Sequence, residues 1–414
     1  MKKFFQNTVF IFLALSIWGY ANGLRPNNYK KFMSNLLDKY GFQIRKTEGG
    51  KKSSKPSFQP EDDGRDDNNR EDIRDENQEI SAGNSVNELQ PLPRNPFEAI
   101  DKRARQCPQK AQTTITKLAN YLQQNTETDI EKARAIYVWL TDNISYADDE
   151  YNSGKYGDMS ADGVLWRKKA VCEGFANLYL ALGKEMGLKI EKVIGYSKGY
   201  GYAAGTSFKE KNHAWNVIKI NGNWRVFDAT WGEGSGENVN GKLVSKKKFD
   251  DYWFNLDPYE AIFNHFPENE AFAFVQPLLT LKNYERLPEI DNDYFKLGFD
   301  GRETYKNILS DKTTKFPKVL SFDTYIKKRF APKYETLFIS EAYAFDFYIP
   351  RGLKAAIVDA NENWTYFDAT KGQFTATYTP NTEGDLRICV KDETDNDSYT
   401  IVMKYNVKRY KSEN

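Results

Sequence analysis

Residues 213–231 read HAWNVIKINGNWRVFDATW, two runs with strand composition on either side of Asn221 and Gly222. Asn-Gly between such runs is a strong hairpin signal, because both central residues of a type I′ turn take positive φ. The stretch predicts a strand opening at His213, a two-residue turn, and a returning strand closed by Asp228. Counted about that turn, His213 faces about position 230, a diagonal step from Asp228 on the same face. A carboxylate there can orient the second nitrogen of the imidazole, which is the third-member role in a nucleophilic triad.

The matching nucleophile lies upstream, in KAVCEGFANLYLALGKEMG, residues 169–187. Its pattern predicts a helix with Ala176, Tyr179, Leu180 and Gly183 on the buried side, Gly187 as C-cap and Cys172 at the N-terminus. A helix N-terminus and a neighbouring imidazole both favour the thiolate form of a cysteine. The chain has only two histidines, so His213 is the candidate base, and His265 in NHFPE reads as structural. The Cys172 backbone N–H is a candidate oxyanion donor, with Trp166 and Trp139 as side-chain candidates. Trp215 and Trp231 read as core, and Cys107 and Cys389 as small buried hydrophobes.

NENWTYFDAT at 361–370 nearly repeats NGNWRVFDAT at 221–230. The strand run before the second copy, LKAAIVDA, holds no histidine, and no thiol opens a helix before it. The echo is therefore read as a second hairpin, with no catalytic role for Asp368.

The length of 414 residues predicts more than one domain. Lys+Arg 59 against Asp+Glu 58 gives no reason to invoke nucleic acid. The first 23 residues, MKKFFQNTVFIFLALSIWGYANG, have the layout of a secretory signal peptide, so the mature protein is expected to be exported to a periplasm, the cell surface or the medium, with no other membrane association. A weakly periodic helix follows, and from Arg45 to Asn95 few large apolar residues occur, the composition of a disordered linker. The run TETDIEKARAIYVWLTDNI, residues 126–144, predicts an amphipathic helix opened by a Thr128–Glu131 capping box. From about Ile290 seven short runs of strand composition, separated by turn residues, predict a β-sandwich.

The blocks VCEGFANLY, NHAWNVIKINGNW and FDATWG, with DIEKARAIYVWLTDNISY before them and YWFNLDPYEAIFNHFPE after, resemble the transglutaminase-like superfamily, in particular its kyphoscoliosis peptidase-like branch and similar bacterial exported proteins. The resemblance covers about residues 97–281 and implies an α+β, papain-like core with Cys172 as nucleophile, His213 as base and Asp228 as orienter. The expected organisation is a leader (1–23), an N-terminal helix with an acidic linker (24–95), a transglutaminase-like catalytic domain (96–285) and an immunoglobulin-like all-β sandwich (286–414). Calcium-dependent transglutaminases carry additional acidic sites that have no recognisable counterpart here, so no metal and no cofactor is expected. The implied activity is that of a cysteine hydrolase or acyltransferase working on amide bonds of protein or cell-wall peptide through a thioester. The alternative is an inactive module of the same fold that binds protein or glycan.

Overall fold

The structure, a computed structural model, describes residues 95–410 except 312, 323, 324, 351 and 393–397. The leader expected over 1–23, and the helix and linker expected over 24–95 save Asn95, lie outside the described residues. Among the described residues no helix is long and apolar enough to cross a membrane.

Asn221 and Gly222 form the turn with φ of 48° and 84°. They join β2 (His213–Ile220) to β3 (Asn223–Phe227), with Asn216 facing Phe227 and Ile220 facing Asn223, the register expected from the sequence. On its other side β2 pairs antiparallel with β1 (Ile190–Ser197). A fourth strand, β4 (His265–Pro267), pairs with β1, so the sheet runs β3-β2-β1-β4. Three residues inside a Pro-interrupted aromatic segment give too short a period to read as a strand. A second Asn-Gly turn, at Asn240 and Gly241, joins Gly234–Val239 to Lys242–Lys247. Those strands are mostly exposed and polar, and so lack the alternation that would have marked them.

Helices pack against this sheet. In α1 (Asp129–Asn143) the capping box forms as expected, Thr128 N–H donating to Glu131 Oε2 at 2.9 Å. Every residue from Ala133 to Thr141 is buried, so this helix is covered on all sides rather than on one face. Arg134, in that buried run, donates to both Asp101 carboxylate oxygens at 2.7 and 2.8 Å and also pairs with Asp251. In α2 (Cys172–Glu185) the buried face includes Phe175, Leu178, Tyr179 and Leu182, with Leu180 only half-buried. Gly187 closes it at φ 76°, where Leu188 N–H reaches Gly183 O at 2.8 Å.

The first strand of the C-terminal strand-rich region is Lys318–Val319. Short helices occupy Leu281–Glu285, Asn292–Leu297 and Gly301–Ser310, capped by Thr280, Asp291 and Asp300. Each of the seven sequence runs becomes a strand, and WTYFDA becomes two, Trp364–Tyr366 and Asp368–Thr370, in different sheets. Phe345 of one sheet and Tyr405 of the other approach to 5.9 Å, so the sheets face each other across a shared core. The architecture is a papain-like α+β core followed by a region rich in antiparallel strands.

Candidate active site

Cys172 is the first residue of α2, so its backbone N–H belongs to the turn that has no intrahelical acceptor. The thiol is half-buried, in no disulfide, and close enough to the His213 imidazole to act on its charge. His213 opens β2 opposite Gly195 of β1. Just before it, the Asn212 side chain accepts from Ser197 N at 2.7 Å and donates to Ser197 O at 3.0 Å, which fixes where the strand begins.

Asp228 follows β3 and caps α3 (Ala229–Glu233), its Oδ1 accepting from Thr230 N at 2.9 Å and Trp231 N at 3.1 Å. Its Oδ2 lies 2.7 Å from His213 Nε2. Since Nε2 is engaged there, Nδ1 is the nitrogen left for Cys172. Burial opposes charge on His213, but Asp228 and then Cys172 outweigh it, and the pKa is pushed up to about 10. Burial likewise opposes charge on Asp228, while His213 and then His265 hold the carboxyl well below the usual range.

The structure brings together the three residues singled out by sequence and adds one that sequence reasoning set aside. His265, in β4, places Nε2 2.9 Å from the same Asp228 oxygen and is 2% exposed. Its signal was invisible because β4 reaches the site through β1, not through the hairpin that carries the other two residues. The tryptophans read as core also belong here: Trp231 and Trp215 lie against the His213 ring, with centroids at 5.3 and 6.0 Å. The side-chain oxyanion candidates fare differently. Trp166 is 86% exposed, and Trp139 is fully buried beneath Lys168.

His213, Asp228 and His265 have ligand atoms within 4.8 Å of one another, a donor set that would suit a divalent cation. The nitrogen–oxygen separations of 2.7 and 2.9 Å, however, are those of direct hydrogen bonds. A cleft of about 690 Å³ opens beside His213 and Trp231. Its walls include Tyr146, Tyr151 and Tyr200, linked by ring contacts at 6.1 and 6.0 Å, and Phe322 of the C-terminal region. The Lys198–Asn212 connection contributes Tyr200 to that wall and is tied down where Phe208 N–H donates to Glu285 at 2.8 Å. Asp368, in the echoed hairpin, is exposed on a sheet-edge strand.

Residues 116–229 match the model of the transglutaminase-like superfamily. The chain is 29% identical over 209 residues to the kyphoscoliosis peptidase of Mus musculus, a match covering 50% of this chain and 31% of the relative. It is 31% identical over 217 residues to Hillarin of Drosophila melanogaster, covering 49% and 26%. It therefore spans less than a third of the length of either. Among solved structures, a TGase matches at 18% identity with a TM-score of 0.23, over 38% of each chain. Residues 116–229, which carry Cys172, His213 and Asp228, are thus a transglutaminase-like domain, with kyphoscoliosis peptidase-like proteins among its relatives.

Proposed function

We propose that this protein is an exported cysteine hydrolase or acyltransferase acting on amide bonds of protein or cell-wall peptide. The Cys172 thiolate attacks the carbonyl carbon, and the Cys172 N–H stabilises the resulting oxyanion. The C–N bond then breaks, the leaving amine takes a proton from His213 Nδ1, and a thioester remains. Water or a second amine attacks the thioester, passes its proton to His213 and releases the acyl group. One observation carries the reading: Asp228 holds His213 Nε2 at 2.7 Å, leaving Nδ1 for a thiol at a helix start. The relative named a peptidase points the same way.

The test is intact-mass analysis with a thiol-directed peptidyl electrophile, comparing wild type with Cys172→Ala, followed by digestion of a denatured protein with and without a primary amine. Single labelling at Cys172, with new N-termini or amine incorporation, supports the proposal. Labelling that survives Cys172→Ala overturns it.

A further inference from the structure

The Asp228 carboxylate has four hydrogen-bonding positions, and all four are occupied. Oδ1 accepts from Thr230 N and Trp231 N, while Oδ2 accepts from His213 and from His265. We infer that His265 is a positioning residue of this site, a second imidazole whose Nε2–H clamps the Asp228 oxygen that orients His213. The inference rests on the hydrolase or acyltransferase reading for its kinetic consequence, but not for its structural part.

An ionised carboxylate only accepts, so both imidazoles must donate through Nε2. His213 has Cys172 as a neighbour that acts on its charge, and its other nitrogen is left for that thiol. His265 has none: Nδ1 is buried and without a hydrogen-bond partner. A proton on that nitrogen would be a buried charge with an unpaired donor, so His265 stays the neutral Nε2–H tautomer. Burial lowers its pKa against the opposing pull of Asp228, and the ionisable groups acting on it are Asp228 and His213. The two rings thus divide the work, one carrying charge and exchanging protons, the other fixed and neutral. With two N–H groups on one oxygen, Asp228 is also a weaker base toward His213, which keeps the proton on the imidazole.

The surroundings hold His265 as a rigid part. Its ring lies among Trp231, Trp215 and Trp253, at 4.6, 4.9 and 5.3 Å between centroids. The next residue, Phe266, stacks on Tyr284 at 5.1 Å in the core shared with the sandwich. The clamp on the site is therefore continuous with the core that the C-terminal strands share.

Because the chain has two histidines, long-range ¹H–¹⁵N spectra of the imidazoles can be assigned with one variant, His265→Gln. The expected result in wild type is a His265 ring that remains the Nε2–H tautomer from pH 5 to pH 8. A His265 that titrates in this window, or carries its proton on Nδ1, overturns the inference. The second arm measures iodoacetamide labelling of Cys172 against pH. His265→Leu should slow it at least tenfold near pH 6, and His265→Gln, which keeps an N–H donor, should recover most of the loss. A folded His265→Leu that labels at the wild-type rate overturns the inference; if that variant does not fold, the wild-type spectra and the Gln variant decide. A wild-type Cys172 no faster than Cys107 or Cys389 would instead contradict the proposed function, while the tautomer still tests the clamp.

Discussion

Three thiols share this chain, and their surroundings differ. Burial pushes Cys107 up to about 11 despite the opposing charge of Lys168, and burial also pushes Cys389 to about 11. Cys172 has a helix start and an imidazole, so iodoacetamide near neutral pH should label it at least about tenfold faster than either; equal rates in the folded protein would contradict this. His213 makes a second test. Its folded pKa, about 10, lies above the unfolded value of about 6.5, so its contribution to stability is complete below pH ~6.5 and is lost as pH rises through about 10. Asp228 is depressed, so its contribution is present above its unfolded value of about 3.9 and is lost as pH falls through the lower folded one. Urea unfolding should therefore show the gap between wild type and His213→Gln widest between about pH 4 and 6.5 and narrowing toward pH 10. His265 has the opposite sign, its lowered pKa costing stability below about pH 6.5, but it is present in both proteins and largely cancels. A gap that widens toward pH 10 would contradict the His213–Asp228 pairing.

The hairpin and its register were legible because two features agreed: an Asn-Gly turn that fixes the pairing, and apolar residues that fix the face. Cys172 was legible for a similar reason, since a clear helical period, closed by a glycine at its C-terminus, begins at Cys172. The echo at Asn361 shows how far such local signals reach. There Glu362 has φ 61° in a longer loop organised by Asp359, and the chain changes sheets at Phe367, so Asp368 meets the edge of a sheet instead of a histidine. The strand at His265 and the polar hairpin at Asn240 were not legible, because one depends on a distant partner and the other has no apolar pattern. Gly195 exposes that dependence. It faces His213 on one side and Pro267 on the other, and a Cβ there would collide with the Phe266 carbonyl and press on the Trp215 ring. Gly195→Ala should cost about 1–3 kcal/mol by overpacking and slow Cys172 labelling as β4 is pushed away. Urea unfolding and labelling at wild-type levels would show that β1 and β4 are not so tightly coupled.

At the scale of the molecule, two hydrophobic cores divide the described residues. One gathers the helices and the sheet that carry Cys172, His213 and Asp228. The other runs from Tyr259 through the short helices to Val407. Tyr252 packs against both cores, and Phe322 reaches the cleft from the C-terminal region. The strands of that region were legible in the sequence, while the short helices before them were not, because short helices with Asp and Thr caps carry little periodic signal. Limited proteolysis should not release residues 318–410 as a stable fragment while sparing the rest; ready release would show a tethered module instead. Cys172, His213 and Asp228 are proposed to act as one chemical unit, and the echoed hairpin is not. The most direct measurement is the pH profile of Cys172 alkylation in wild type, Asp228→Asn and Asp368→Asn, followed by mass spectrometry. Asp228→Asn should lose the fast labelling on the acid side of neutrality, by about ten-fold or more, and Asp368→Asn should overlay wild type. Equal profiles for wild type and Asp228→Asn, or matched losses in both variants, would contradict it.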